Sequence, residues 1–379
     1  MRAITIATAV ALAATALPAF AHADPTPTPA DPRPTSAGPV LTLPAPTGPL
    51  PVGSTSLHLK DLTRADPWVP TERRELMVTL FYPAFPTAGP RTQYLTPEES
   101  AAMLADSGLA HLPSDFLAHT RTHSAAGARP FPRPHGLPLV VLSPGYTKPR
   151  ATLTALAEDL AAHGYAVAVI GHTHENYGTS FPDGRFAGCA SCEVDHLPEF
   201  WEKLAHGRAA DVSFVLDELL KRPGLVDPTR IAMGGHSAGG GSTITAMLAD
   251  PRIRAGFDLD GRVYTPVPDT GFTRPFLFMG KYPADFPFPR CTPWQDDFGR
   301  LDGWKRWLSV TGAQHASFTD LGPFADQLGV DIGATITGER AQAITRDYVG
   351  AFLDTHLRAK RRPLLDQPSP RYPEVAFCG

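Results

Sequence analysis

An α/β fold, with a mostly parallel central sheet and helices on both faces, is predicted by three features of the sequence. Short, continuously apolar runs such as LPLVVLS (137–143), AVAVI (166–170) and RIAM (230–233) read as strands buried on both sides. Segments with helical apolar spacing alternate with them, which is the pattern of parallel strands joined by crossover helices. Five glycines surround one serine in GGHSAGGG (234–241), where a predicted strand passes into a predicted helix.

The elements follow in chain order. Residues 1–23 carry one positive charge at Arg2, an apolar stretch Ala3–Leu17 and then AFA and AHA. This is the layout of a secretory signal peptide cleaved near Ala23, and the stretch is short for a membrane span of ~20 residues. The expected destination is extracellular. Residues 24–52 are rich in Pro and Thr and are expected to form a disordered leader. Residues 53–379 are expected to form one catalytic domain. SLHLKDL (56–62) and RELMVTLFYPA (74–84) open it as an antiparallel strand pair. TPEESAAMLADSGLAHLPSDFLAH (96–119) spaces Met103, Leu104, Leu109, Leu112, Phe116 and Leu117 in mixed helical fashion; it reads either as a cap over an apolar pocket or as a surface helix on the sheet.

Strand 137–143, a helix over 151–164 and strand 166–170 come next. A long helix over 199–222 carries Leu204, Val212, Val215, Leu216, Leu219 and Leu220 ahead of RIAM. After the serine, strands in RIRAGFDLDG, TRPFLFMG and WLSVTG precede a last helix in ERAQAITRDYVGAFLDTHLRAK. Sheets of this kind hold their ligands at the C-terminal ends of the strands.

The 34 basic and 38 acidic residues leave a formal charge of −4, with no basic footprint for nucleic acid. Four cysteines, at 189, 192, 291 and 378, agree with an oxidising compartment. Three pairings are open; we favour Cys189–Cys192 as a small local ring and Cys291–Cys378 as a pin on the C-terminus. No second CxxC accompanies the first, so no metal site is expected there.

Gly235-His236-Ser237-Ala238-Gly239 is a GxSxG pentapeptide in the strand-turn-helix context that exposes a nucleophilic serine. A phosphate cradle would need a Lys after the glycines, or the spacing GxGxxG, and neither is present. A serine hydroxyl needs a base within hydrogen-bond reach. Downstream of Ser237 the histidines are His315, in the loop after WLSVTG, and His356, in the last helix, so His315 is the expected base. The orienting acid should leave an intervening strand: Asp260 in FDLDG is the expected residue and Asp285 the rival, with Asp258 deeper on the same face.

Two aimed N–H groups should hold the oxyanion. Ala238, directly after the nucleophile, supplies one, and Tyr146 in SPGYTKPR supplies the other or walls the acyl pocket. In GHTHENYG (171–178), His172, His174 and Glu175 could ligate a metal, but a loop at a strand end favours substrate contact, with His172 as the contact residue. His236 is expected to pack or hydrogen-bond beside the nucleophile and to touch substrate. Phe286, Phe288 and Trp294 read as loop anchors or as walls of an aryl or acyl pocket. Ester cleavage by such a set needs no metal or organic cofactor.

The chain resembles the secreted and type II platelet-activating-factor acetylhydrolase family of α/β-hydrolases. FYPA (81–84), LPLVVLSPGY (137–146), AEDLAAHGYAVAVIGHTH (157–174), GGHSAGG, FDLDGR and GAQHASFTD (312–320) carry the likeness, over roughly residues 54–357. The spacings 260 − 237 = 23 and 315 − 237 = 78 fit that family's Ser, Asp and His, which raises Asp260 over Asp285. The resemblance implies calcium-independent hydrolysis of small-molecule or lipid esters, often short or oxidised acyl chains on phospholipids, with transient contact to a lipid surface. Two positions depart from the family: Ala238 stands where a bulky residue is common, and SPGYT replaces Ser-His-Gly and resembles the loop of bacterial cutinase-like polyester hydrolases. Cutinase-like or lipase activity is therefore the alternative, and a non-catalytic secreted binding protein on a hydrolase scaffold is the alternative of another class.

Overall fold

A computed structural model describes residues 40–222, 224–282 and 294–378. Ten strands form one sheet: β1 (Val52–Ala65), β2 (Arg73–Pro83), β3 (Ala125–Ala126), β4 (Leu137–Ser143), β5 (Ala166–His172), then β8 (Val226–His236), β9 (Ile253–Leu259), β10 (Phe276–Tyr282), β11 (Lys305–Thr311) and β12 (Val375–Phe377). Between β5 and β8, a small hairpin pairs β6 (Thr179–Ser180) with β7 (Phe186–Ala187). The order across the sheet is β12-β11-β10-β9-β8-β4-β5-β2-β1-β3. Strands β5, β4, β8, β9, β10 and β11 run parallel, while β2 pairs antiparallel with both β1 and β5. The helices are α1 (Pro97–Asp106), α2 (Thr154–Ala162), α3 (Phe200–Leu220), α4 (Ala238–Gly241), α5 (Thr243–Ala249), α6 (Gln295–Gly299), α7 (Leu321–Leu328) and α8 (Gly338–Arg358). The predicted fold class and the antiparallel opening pair are both present.

The apolar runs divide by period two, as strands covered on both faces must. Leu139 and Val141 of β4 and Ala168 and Ile170 of β5 pack with Val212, Leu216, Ile244 and Met247 of α3 and α5. Val140, Leu142, Val167 and Val169 point the other way, onto Leu156, Leu160, Tyr348 and Phe352 of α2 and α8. Helix α1 begins with a capping box, in which Thr96 Oγ1 accepts from Glu99 N–H and Glu99 Oε2 accepts from Thr96 N–H.

One expectation is corrected. Residues 40–51, predicted to belong to a disordered leader, lie against the domain. Leu41 and Leu43 are each 1% exposed, among Met103, Leu104, Phe116 and Phe324. Leu43 N–H donates to Arg121 O at 3.0 Å, and Arg346 donates to Pro44 O and Ala45 O at 2.9 Å each. Prolines remove donors from such a segment but leave every carbonyl as an acceptor; a buried guanidinium on α8 uses two of them. The same cluster absorbs the apolar residues of 96–119, so this segment packs on α2, α7 and the strap. Its Asp106 is ion-paired to Lys148, in the loop after β4. Among the described residues no helix is long and apolar enough to cross a membrane.

A chain beginning at residue 46 should be less stable than one beginning at 40. Each buried leucine contributes about 1.5–3 kcal/mol, and the expected drop in Tm is about 5 °C or more. An unchanged melting curve would show that the strap is incidental.

Candidate active site

The turn from β8 into α4 is sharp because two backbones nearly touch. A Cβ at Gly235 would lie 2.1 Å from the Ser143 carbonyl oxygen, and one at Gly239 would lie 1.9 Å from the same atom. Between these glycines Ser237 is held at φ 54°, ψ −122°, a left-handed conformation costing about 1–3 kcal/mol for a non-glycine residue. Its N–H donates to Leu259 O and its carbonyl accepts from Gly241 N–H, both at 2.9 Å. The serine is thereby lifted to the apex, partly exposed.

Asp260 follows β9 and is also left-handed, at φ 56°. Its Oδ2 accepts from His315 Nδ1 at 2.6 Å, and its Oδ1 accepts from Lys281 N–H at 2.8 Å. His315 Nε2 makes no hydrogen bond among the described residues, and the side chain is 46% exposed. Ser237 Oγ and His315 Nε2 are not hydrogen-bonded to each other in this structure, a spacing common in unliganded sites. The residue beside the serine shows how close the two segments lie. His236 Nε2–H donates to the His315 carbonyl at 2.7 Å, and the two rings lie tilted at 45° with centroids 4.4 Å apart. Burial, with His315 alongside, pushes the His236 imidazole down to about 3, so it is neutral. Its Nδ1 is buried without a hydrogen-bond partner among the described residues, facing Gly145. His236 thus braces the His315 loop, a role nearer to packing than to the expected substrate contact. Asp258 is fully buried beneath the elbow; its Oδ1 accepts from Gly261 N–H at 2.7 Å, and burial raises its carboxyl well above the usual range. His356, the other downstream histidine, packs on Trp304 and Phe352.

The loop after β4 lies alongside. A Cβ at Gly145 would come within 3.4 Å of Ser237 Cβ. The N–H groups of Tyr146 and Ala238 donate to nothing among the described residues. The Tyr146 ring stands edge-on to Phe200 and Trp201, and its hydroxyl contacts Ser191 Oγ at 3.3 Å and Cys192 Sγ at 3.4 Å. Burial pushes this phenol up to about 12. Tyr264 stacks on Trp201 at 5.1 Å, and Ala238 packs in the same cluster, so a partly exposed aromatic wall borders the elbow.

The expected Cys189–Cys192 disulfide is formed. Cys291, the predicted partner of Cys378, lies outside the described residues, as do Asp285, Phe286 and Phe288. Trp294 is an anchor: it is buried, stacked on Phe278, and donates through Nε1 to Gly261 O at 2.8 Å, fixing the turn after Asp260.

His172 requires a correction. Predicted to touch substrate, it is 1% exposed, with Nδ1 2.8 Å from Asp211 Oδ2 and Nε2 2.9 Å from Ser143 Oγ. Burial and Arg208 hold its pKa below the ordinary value. It is therefore neutral, donating to Asp211 and accepting from Ser143. It belongs to a largely buried cluster in which Arg64, Arg74 and Arg208 pair with Asp61, Asp66, Asp211 and Glu175. The ligand atoms of His172, Glu175 and Asp211 lie within 4.8 Å of one another, but guanidinium groups already supply the cations there. Sequence reasoning overlooked Arg208, yet a signal existed: it stands four residues after Leu204 and four before Val212, on the apolar stripe of α3.

The family of platelet-activating factor acetylhydrolase, isoform II, matches residues 36–182. A probable 1-alkyl-2-acetylglycerophosphocholine esterase of Arthroderma benhamiae is 29% identical over 87% of this chain and 92% of its own length. Cutinase 2 of Thermobifida cellulosilytica is 28% identical over 32% of this chain and 38% of its own. Among solved structures, a ferulic acid esterase from Streptomyces cinnamoneus superposes with a TM-score of 0.81 at 41% identity, covering 89% of this chain and 99% of that one.

The buried charges give a pH signature. Burial alone would raise the Asp211 carboxyl, but Arg74 and His172 hold it far below the usual range. A depressed pKa contributes stability that is complete above the unfolded value near ~4 and is lost as pH falls through the folded value. Asp211→Asn should cost about 3–5 kcal/mol near neutrality, a gap constant between about pH 5 and 8 that narrows below about pH 4. Urea denaturation of both proteins across this range is the check, and a gap that persists undiminished at low pH contradicts the assignment.

Proposed function

We propose that this carboxylic-ester hydrolase of α/β-hydrolase fold, similar over residues 36–182 to platelet-activating factor acetylhydrolase, isoform II, cleaves esters through Ser237, His315 and Asp260. The carrying observation is the 2.6 Å contact of Asp260 with His315 Nδ1, which leaves Nε2 without a hydrogen bond among the described residues, while His236, next to Ser237 in the chain, is bonded to the His315 carbonyl. Ser237 Oγ gives its proton to His315 Nε2 and attacks the ester carbonyl. Ala238 and Tyr146 N–H groups hold the oxyanion, and Asp260 fixes the imidazole tautomer and stabilises its charged form. The protonated Nε2 then passes its proton to the departing alcohol, and water repeats the sequence on the acyl-enzyme.

For the substrate we propose an ester of an aromatic acid, supported by the wall of Tyr146, Trp201 and Tyr264 beside the small Ala238 and by the likeness to a ferulic acid esterase. A flat ring gains both area and edge or stacking contacts from such a wall. A short-acyl phospholipid is the second reading, favoured by the family match over residues 36–182 and the fungal relative; a polyester surface is the third, favoured by the cutinase likeness. Export is part of the proposal, on the strength of the signal-like residues 1–23 and the Cys189–Cys192 pair.

Ser237→Ala should lower kcat by about 10³-fold or more, and Asp260→Asn by about 10²–10⁴-fold, with unchanged melting curves. A fluorophosphonate should label Ser237 in the native protein alone. An unlabelled serine would instead favour a binding protein on this scaffold. For specificity, kcat/KM should be greater for methyl ferulate than for a short-acyl phospholipid or a polyester film. The opposite ranking removes the aromatic reading and leaves the triad standing.

A further inference from the structure

The loop that follows β4 carries a conformational burden of its own. Lys148 N–H donates to Gly145 O at 3.2 Å, closing a turn whose central residues are Tyr146 and Thr147, with Thr147 left-handed at φ 66°. The peptide group between Gly145 and Tyr146 is trans, so with its carbonyl committed to Lys148 its N–H points the opposite way. If this peptide turned over, a carbonyl oxygen would replace the N–H and repel an oxyanion. The turn therefore needs both flanks fixed.

One buried side chain reaches both. Arg208 Nη1 donates to Pro144 O at 2.5 Å and to Ser143 Oγ at 3.2 Å, on the upstream flank. Its Nε donates to Glu175 Oε2 at 2.7 Å, and the Glu175 backbone carbonyl accepts from Thr147 N–H at 2.9 Å, on the downstream flank. Glu175 is itself tethered by Trp68 Nε1 at 2.9 Å and by Arg74. Burial alone would raise the Glu175 carboxyl, but Arg208 and its neighbours hold it below the usual range, so the pair is ionic. Arg208 is 1% exposed, in the middle of the 21-residue helix α3, and every side-chain hydrogen bond it makes among the described residues goes to the last residue of β4, to this loop or to Glu175. Arginine suits the task because its planar fork addresses two directions at once, whereas a lysine is a single point.

We propose that Arg208, acting with Glu175, is a positioning residue that holds the Gly145–Tyr146 peptide with its N–H toward the tetrahedral intermediate; this rests on the oxyanion role given to Tyr146 above. Such a residue influences the transition state and leaves ground-state binding almost untouched.

The test compares the full chain with Arg208→Lys, Arg208→Met and Glu175→Gln, using p-nitrophenyl acetate for kcat and KM and phenylboronic acid as a tetrahedral mimic, with melting curves for each. Arg208→Met should lose about 10- to 100-fold in kcat, somewhat less than the loss of a whole donor, with KM changed by less than about threefold. Affinity for the boronic acid should fall by the same factor as kcat, and Arg208→Lys should fall between. If Arg208→Met does not fold, the lysine and glutamine variants carry the same comparison. Folded variants with unchanged kcat, or with kcat lowered while boronic acid affinity stays at the parent value, overturn the proposal. A parent protein that neither binds the boronic acid nor is labelled at Ser237 overturns the triad reading, and this proposal with it; labelling with no coupled loss in the variants overturns this proposal alone.

Discussion

The approach of the β8–α4 turn to the end of β4 governs the rest of the site. Ser143 pairs with Gly235 across neighbouring parallel strands, and the same Ser143 carbonyl lies against Gly239 on the far side of the serine. No side chain fits at either glycine. Only because that space is empty can the serine stand at the apex while the loop carrying Tyr146 runs beside it. The His315 loop joins through His236, which occupies the corner between the two. Three segments far apart in sequence thus meet at the C-terminal edge of the sheet, where the parallel order brings the loops leaving the strands to one side.

Beneath that edge lies an uncommon concentration of buried charge. Three arginines, Arg64, Arg74 and Arg208, pair with four carboxylates, Asp61, Asp66, Asp211 and Glu175, with His172 neutral between Asp211 and Ser143. Removing charges from water is expensive, and the attraction between them offsets the cost only when each hydrogen-bonding position is filled. Here donors and acceptors interlock across α3, β2, β5 and the loop after β4. An apolar cluster of equal volume would hold these elements together as well, but it could not dictate which way a single peptide plane faces.

Much of this was readable in the chain, for definite reasons. Periodicity exposed the strands because β4 and β5 are apolar on both faces, and it exposed α3 and α8 because they are long. Ser237, Asp260 and His315 could be nominated because strand-turn-helix context and chain order restrict the choice. Residues 40–51 were misread because their composition is that of a spacer, while their contribution lies in two leucines and in carbonyls that composition does not report. His172 was misread because a histidine at a strand end looks the same in sequence whether it faces the cleft or points under it; only its partners Asp211 and Ser143, from other elements, decide. Arg208 stood in an apolar stripe, and a charged residue there is a sign of a buried partner.

The sheet finishes at β3 on one side and β12 on the other, two and three residues long. A ten-stranded sheet with long, bare margins would offer its unpaired amides to any other extended chain. Beyond the two residues that β3 covers, the outer edge of β1 carries Lys60 and Arg64 and a register shift between Asp61 and Ala65, charges and an irregularity that disfavour such pairing. For a molecule whose interior is so apolar, edge charge and irregular register are a safeguard against stacking edge to edge into fibrils.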